Sequence, residues 1–443
     1  ELYRFDIEGY GATITGGGTV SKDAINIDFE GKKIDMGRLL INTDYKVDGL
    51  LAGRGTITGS MDNPQFNGYI LSDALSINGQ LLTDIHGHVY ADKSVVNVQD
   101  FSFAESNGGR YVAKGGMKLD DSKQLFGVLD VTNGSVKNLL ALLDRKNEHL
   151  DGKLNGSVEI GGTKDNPSVT VDGKINEVSI DDKVVGDATI DASLANRKFK
   201  ITTLKLPVDE GLIAMGGTLD LDGEADLQVA LKDVDIVPFL PLVGKDIQAT
   251  GWVTGVVNVT GKTKNPKVEL SGAVESGSFN GIGIDEGFVL ATMQDHVIQI
   301  QRIQGAKGGY KLSLYGKIPL AALYTSGYIE ASNAKSMDVT IDFNEADMAV
   351  IPLVTTSVKD ATGPLKGVIR LTGTVDQPEA YGTVSVRNGT MKLANVDNEI
   401  TGIDGDLIFS GQQGDFQSRI NMGKGSAGLA AKVNWSGHTL TNY

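Results

Sequence analysis

The chain repeats one arrangement of strand and turn four times along its length. Each copy has a glycine-rich strand, then Gly-Thr or a close variant, then a short loop ending in Asn-Pro or Gln-Pro, and then a second strand that carries glycine. The copies span residues 53–68, 152–173, 251–272 and 363–382, and their marker prolines are Pro64, Pro167, Pro266 and Pro378. A repeat of roughly 100 residues indicates an array of stacked units, which offers an extended surface rather than one central pocket.

The composition agrees with strands connected by tight turns. The chain has 57 glycines and only 10 prolines among its 443 residues, which argues against collagen and against proline-rich linkers. Hydrophobic residues make up 40% of the chain, so it must bury or bind apolar surface. The net charge of −15 repels nucleic acid and anionic membranes, so we expect no nucleic-acid partner. The chain has no cysteine and therefore no disulfide.

Alternation of apolar and polar residues predicts half-buried strands. It is clearest at residues 169–175, 227–231, 268–274 and 339–343. Gly173 and Gly272 share the apolar face with Val171 and Leu270, which leaves room on that face. At roughly 12 to 15 residues per strand and turn the chain would hold about 30 strands, more than an open twisted sheet usually has. Such a sheet must close, stack or coil, and we expect a rod on the order of 150 Å long.

Short apolar clusters precede each return of the repeat. In the best of them, Val136, Leu139, Leu140 and Leu143 have helical spacing behind Ser135 as N-cap. The cluster behind Asp235 contains Pro241, so it predicts a single helical turn or none. Weaker clusters lie at residues 36–40 and 348–353. Together these features predict the units 1–34 (partial), 35–134, 135–234, 235–346 and 347–443 within one continuous elongated array.

The repeated Gly-Thr-x-x-Asn-Pro segments, the alternating glycine-rich strands and the short Leu-Leu clusters together resemble the TamB proteins of the AsmA-like superfamily. The resemblance covers residues 35–435 and depends on diffuse repeats rather than on a catalytic signature. It implies an all-β fold in which a long sheet curls into a U-shaped trough, the β-taco, with an apolar groove and a few short helices. It also implies phospholipid movement between membranes and outer-membrane protein assembly.

The same resemblance implies a location and partners. Members of the family are anchored in the inner membrane, cross the periplasm and meet an outer-membrane barrel of the TamA or BamA type. The chain begins at Glu1 without an initiator methionine or an apolar leader, so we expect an excised periplasmic fragment of a longer protein. Its longest apolar stretch, residues 236–243, is far shorter than the roughly 20 residues that a membrane helix needs.

The apolar positions of the repeated strands are the candidate lipid-binding groove, with phospholipid as the ligand. Without the resemblance, an ordinary sandwich or solenoid core would explain the same alternation, and a bulge could exchange the two faces. The candidate lining residues are Ile57, Phe66, Val158, Ile160, Val169, Val171, Ile175, Val257, Val259, Val268, Leu270, Val274, Ile369, Leu371, Val384 and Val386.

Enzymatic signatures are missing from the sequence. His86 and His88 lie two apart on a predicted strand, as two metal ligands could, but a third ligand is not evident and two solvated histidines explain them better. His149, His296 and His438 are scattered, and there is no nucleophile elbow or phosphate-binding loop. We therefore expect no enzyme, no cofactor and no metal.

Three functions remain open on the sequence. The first is a periplasmic conduit that carries phospholipids along an apolar groove. The second is a scaffold for outer-membrane β-proteins, which would add strands at its edge. The third is a β-solenoid or adhesin, which would close its core and leave no apolar channel.

Overall fold

The computed structural model describes most of the chain. The described residues are 2–9, 12–21, 23–40, 46–142, 149–163, 165–243, 248–279, 282–307, 310–323, 336–353, 357–374, 376–394, 398–422, 425–437 and 439–442. They divide into two units: residues 1–209 with 214–221, and residues 210–213 with 222–443. Strand β14 (Gly211–Asp220) contributes residues to both units.

The first unit is an antiparallel array of strands with two short helices. Its strands are β1 (Leu2–Gly9), β2 (Ala12–Val20), β3 (Ile25–Asp35), β4 (Val47–Ser60), β5 (Asn63–Ile77), β6 (Gln80–Ala91), β7 (Val95–Glu105), β8 (Arg110–Lys118), β9 (Leu125–Ser135), β10 (Leu150–Gly162), β11 (Pro167–Ile180), β12 (Lys183–Ala195) and β13 (Lys198–Val208). Helix α1 (Met36–Leu39) follows β3, and α2 (Val136–Leu142) follows β9. Every strand pairs with its neighbour in sequence.

The second unit is also an antiparallel array, but its short strand Val358–Thr362 interrupts the sequential order: the strands on either side of it in sequence pair with each other. Its strands are β15 (Glu224–Asp235), β16 (Ala249–Lys262), β17 (Lys267–Phe279), β18 (Ile282–Gln294), β19 (Val297–Lys307), β20 (Tyr310–Pro319), β21 (Met337–Asp347), β22 (Val358–Thr362), β23 (Pro364–Gly373), β24 (Pro378–Leu393), β25 (Ile400–Gly411), β26 (Gln413–Met422), β27 (Gly425–Ser436) and β28 (Thr439–Asn442). Short helices are a 3-10 turn (Val237–Phe239) with α3 (Leu240–Val243), α4 (Leu320–Leu323) and a 3-10 helix (Met348–Leu353). The predicted fold class, an all-β repeat array with a few short helices, is confirmed.

A capping side chain begins each helix that precedes a repeated strand pair. Ser135 Oγ accepts a hydrogen bond of 3.1 Å from the amide of Asn138, as the sequence predicts. Asp35, Asp235 and Asp347 accept equivalent bonds from the amides of Arg38, Val237 and Ala349. Pro241 lies within α3, which extends the preceding 3-10 turn by a single turn. Leu143, predicted in the α2 cluster, lies outside the described residues.

Each marker proline lies where the second strand of a repeated pair begins. Pro167 is the first residue of β11 and pairs with Gly162, whose φ is +75°. Pro64 and Pro378 are opposite Gly59 and Gly373, and Pro266 directly precedes β17. Gly59, Gly261 and Gly373 all have a φ between 81° and 98°. Because proline has no N–H to donate, it fits the first position of a strand, and glycine adopts the left-handed conformation that this turn requires.

The helices that precede the repeated strand pairs lie at one end of the strands in each unit. Six strands, β4–β9, separate α1 from α2, and six, β16–β21, separate α3 from the 3-10 helix Met348–Leu353. An even number of antiparallel strands returns the chain to the edge that it left, so these helices share an edge, whereas α4 follows five strands after α3 and lies at the opposite edge. A residue in the left-handed conformation precedes three of them, namely Lys33, Asn133 and Asp233. The strand register shifts at the same places, which marks a β-bulge.

Closed hydrophobic clusters lie at the strand ends under α1, α2 and the 3-10 helix Met348–Leu353, and buried side chains also lie at the opposite strand ends near α4, at Ala322, Met337 and Val339. In the first unit Met36 of α1 packs against Leu75 and Leu82, while Val136 and Leu139 of α2 pack against a cluster built on Tyr111 and Val131. In the second unit the 3-10 helix Met348–Leu353 covers the largest cluster, which includes Leu365, Ile369, Val384 and Ile403. The other residues of these strands lie outside the clusters.

Candidate functional site

Strand register determines which side chains share a face of the sheet. Residues that are directly opposite in antiparallel strands point to the same side, so their side chains form a row that runs across the strands. In both units such rows form one face that is almost entirely apolar and an opposite face on which polar side chains are mixed with exposed apolar ones, such as Phe126, Leu290 and Ile408.

One row crosses the apolar face of the first unit from β1 to β13 without a polar side chain. At about 4.8 Å per strand this row is about 60 Å long. Its members, one from each strand, are Phe5, Gly16, Phe29, Gly55, Gly68, Val89, Val98, Gly115, Gly127, Ile160, Val169, Leu194 and Phe199.

Two such rows lie side by side on the apolar face of the second unit. The first contains Leu231, Gly255, Gly272, Val289, Ile303, Leu314, Ile341, Ile369, Gly382, Phe409, Gly414 and Val433. The second contains Val229, Val257, Leu270, Ala291, Ile300, Gly316, Val339, Leu371, Ala380 and Gly411. A β-bulge in β19 separates Ile300 from Ile303 and keeps both side chains on this face.

The opposite face carries polar side chains at the intervening positions. In the second unit one row on this face contains Gln228, Asn258, Glu269, Thr292, Gln299, Lys317, Asp338, Thr372 and Glu379. In the first unit the corresponding face includes Glu30, Arg54, Tyr69, His88 and Gln99 in one row. This face also carries exposed apolar side chains, among them Leu71, Leu290 and Ile408, so the two faces differ in that polar side chains are present on only one of these sets of rows.

Apolar side chains on the apolar face remain partly accessible to solvent. Ile160 is 39% exposed, Leu270 36% and Ile303 39%, whereas Val131 in the core under α2 is only 3% exposed. Most other members of the rows are half-buried. A face of this extent with exposed aliphatic groups is unusual for a soluble surface, and such surfaces generally mark a binding site.

The sixteen residues predicted from the sequence all lie on the apolar faces. Ile57 is opposite Phe66, Val158 is opposite Val171, and Val257 is opposite Leu270. The other predicted residues share these faces at the same or neighbouring rows. Those with half-buried side chains are Ile57, Phe66, Val158, Val169, Val171, Ile175, Val257, Val259, Val268, Val274 and Leu371, while Ile160 and Leu270 are exposed.

Three of the sixteen have a different environment. Ile369, Val384 and Val386 are 7 to 8% exposed and belong to the core under the 3-10 helix Met348–Leu353. They contact other protein side chains there and are not part of the open face. Apolar residues with the same alternating pattern therefore lie on an open face in some parts of the sheet and in a closed core in others.

Several members of the rows are not among the sixteen residues predicted from the sequence. Phe29, Val89 and Val98 lie on the apolar face of the first unit, and Val289 and Ile303 on that of the second. The repeated motif points mainly to the two strands next to each marker proline. Alternation in the remaining strands is the signal that would have found them, but bulges change its phase.

The two neighbouring histidines lie together on the polar face. The imidazole of His86 is 2.8 Å from the hydroxyl of Ser102 and 3.1 Å from the carbonyl oxygen of Asp84. His88 bonds to the side chain of Asn67 and stacks on Tyr69 with ring centroids 4.5 Å apart. Within the described part of the chain, no group of three or more histidine, aspartate or glutamate side chains could hold a metal ion. His438 lies outside the described residues.

Helices long and apolar enough to cross a membrane are absent from the described ranges. No protein-family model, curated protein or solved structure matches the chain.

Proposed function

We propose that the apolar faces bind the acyl chains of phospholipids and carry them across the strands in a periplasmic conduit. The observation that supports this proposal is the presence of unbroken apolar rows in both units, most of whose side chains keep partial solvent exposure, although Ile300, Val339 and Ala380 of one row are buried. Each CH₂ group moved from water to an apolar surface contributes about 0.8 kcal/mol, so an acyl chain gains strongly from such a face.

The chemistry of the rows favours movement over storage. Valine, isoleucine, leucine and glycine follow one another from strand to strand, and no polar group in the rows would fix a head group. Where aliphatic residues and glycine follow one another, an acyl chain that shifts by one strand therefore meets a similar surface, so the barrier to movement there is low. Head groups would remain in water, and we expect little selectivity among them.

The resemblance to the TamB proteins supplies the wider setting of this proposal. Under it, the chain is part of a longer protein anchored in the inner membrane, and phospholipids move toward an outer-membrane barrel of the TamA or BamA type. This setting requires no catalytic residue, cofactor or metal, and the protein is not an enzyme under it. The net charge of −15 disfavours nucleic acid as a partner.

Site-specific photo-crosslinking in cells tests the proposal. A photoreactive side chain at Val171 or Leu270 should capture phospholipid, because both lie on the apolar face. The matched controls are Asp172 and Ser271, which follow them on the same strands and point to the opposite face. Equal capture at the two faces, or none at Val171 and Leu270, would contradict lipid binding. Protein adducts in place of lipid adducts would favour the scaffold for outer-membrane proteins instead.

Mass spectrometry of the purified protein after organic extraction gives an independent measurement. Phospholipid that co-purifies with the protein and is lost from a variant of the apolar face would support the conduit. A protein that carries no lipid would favour the β-solenoid or adhesin with a closed core.

A further inference from the structure

Phenylalanine rings cover the glycines in one part of the first unit. A methyl group built on Gly68 would lie 2.8 Å from Cζ of Phe66, and one on Gly55 would lie 3.2 Å from Cζ of Phe29. Phe5 approaches Gly16 and Phe101 approaches Gly87 in the same way. The rings thus occupy the space that a side chain at each glycine would fill, on β2, β4, β5 and β6.

Two glycines on later strands of the same face have no such cover. At Gly127 on β9 the atoms nearest to an added methyl group belong to the facing backbone out to 3.8 Å. The same holds out to 3.4 Å for Gly173 on β11. The apolar face of these two strands therefore has bare backbone between its aliphatic side chains.

The rings of Phe29 and Phe66 also support each other. Their centroids are 5.7 Å apart and their planes differ by 27°, so they form a stacked pair across β3 and β5. Both side chains are half-buried. A ring that already contacts backbone on one side and a second ring on the other has little to gain from moving aside for a ligand.

We propose that the stacked pair Phe29–Phe66 determines where acyl chains bind, by keeping them off the glycine backbone of β4 and β5. This inference rests on the proposed lipid binding. Acyl chains gain energy only from atoms that they approach within about 4 Å. On β9 and β11 they reach both the aliphatic side chains and the glycine backbone, whereas on β4 and β5 the rings occupy that place.

Photoreactive phospholipids test this inference. The purified protein is loaded with a phosphatidylcholine that carries a diazirine in its acyl chain, irradiated and digested, and the adducts are assigned to peptides. In the natural protein we expect several-fold more adducts on β9 and β11 than on β4 and β5. In Phe29→Ala/Phe66→Ala the adducts on β4 and β5 should rise to the level of β9 and β11.

Two further variants separate the ring pair from general effects. Phe126→Ala removes a ring that is 39% exposed on the opposite face and should leave the distribution unchanged. Phe29→Leu/Phe66→Leu keeps apolar volume but removes the flat rings, and it should give an intermediate distribution if the alanine variant does not fold. Equal labelling of both segments in the natural protein, or an unchanged ratio in the folded double variant, would overturn the inference while lipid binding stands. Labelling on neither segment would overturn the proposed function and this inference with it.

Discussion

The hydroxyl of Tyr111 donates a hydrogen bond of 2.5 Å to Oε1 of Glu105, and both side chains are buried. Oε2 of the same carboxylate accepts a bond of 3.2 Å from the amide of Ser135, which caps α2. Burial and the neighbouring carboxylate of Glu105 raise the pKa of Tyr111, so the phenol remains a donor at every physiological pH. The pair therefore fixes β7 and β8 to the start of the helix.

Replacing Tyr111 with phenylalanine should destabilise the end of the first unit that lies under α2. The ring stays, but Oε1 of Glu105 loses its buried donor, which costs about 1–3 kcal/mol. Because an array of repeats can open locally, amide hydrogen exchange of β8, β9 and α2 is the informative measurement. Protection there should fall in Tyr111→Phe. Tyr315→Phe is the control, since Tyr315 is 45% exposed on the second unit, and equal loss in both variants would contradict the role of the bond.

The sequence predicted the strands, the repeats and the cap at Ser135 because each depends on local chemistry. Alternation, turn glycines and an N-cap are determined by residues close in sequence. The pairing of Glu105 with Tyr111 was not predictable in this way. Glu105 ends a strand beside a turn, where a carboxylate is normally solvated. It is buried because of the register of β7 and β8 and the placement of α2, which are not local features.

Register also explains the limits of the site prediction. Val158 and Val384 have the same alternation, yet Val158 is half-buried on the open face and Val384 is 8% exposed in the core. The difference comes from the 3-10 helix Met348–Leu353, which packs over the end of β24. Its weak apolar cluster gave no sign of how much of the neighbouring strands it would cover. Packing between distant elements, rather than local pattern, decides which part of an apolar face stays open.

The marker turns should depend on glycine both for its left-handed backbone conformation and for the close approach of the facing backbone. These two effects can be separated. Gly162 has a φ of +75°, and an added methyl group would meet the amide of Ser168 at 2.8 Å and the carbonyl of Asn166. Gly79, in the β5–β6 turn, has a φ of +83° but no atom within 4 Å of that position. Gly79→Ala should cost about 1–2 kcal/mol for its left-handed backbone alone. Gly162→Ala should destabilise its turn more than Gly79→Ala does. Hydrogen exchange should show this as a larger loss of protection in β10 and β11. Equal local effects at the two turns would contradict a role for the close backbone contact.

Asp92 should make the β6–β7 turn sensitive to acid. Hydrogen bonds from the hydroxyl and the amide of Ser94 lower the pKa of Asp92 to about 2. Because the unfolded value is about 3.9, the stabilisation is complete above that pH and is lost as the pH falls through 2. Titration of the Asp92 carboxyl carbon by NMR should give the low value in the natural protein. In Ser94→Ala it should move toward the ordinary value, and titration near 4 in the natural protein would contradict this account.

The last prediction places a charge on the apolar face of the second unit. Leu270 is 36% exposed between Val257 and Ala291, so an arginine at this position can extend its guanidinium toward water and the protein should still fold. An acyl chain that crosses this strand would meet an unpaired charge, which costs several kcal/mol in an apolar environment. We therefore expect Leu270→Arg to retain its hydrogen-exchange protection but to lose more than about 90% of its lipid crosslinks at Val257, since each 1.4 kcal/mol is tenfold in occupancy.

The matched control is Ser271→Arg, which introduces the same side chain one residue later on the opposite face. Ser271 is exposed and pairs with Val256 and Leu290, so the charge lies in water and away from the apolar rows. Lipid capture at Val257 should remain at the natural level in this variant. If Leu270→Arg unfolds the second unit, the face is closed core rather than open surface. If it folds and captures lipid as Ser271→Arg does, acyl chains do not cross the sheet along the row that contains Leu270.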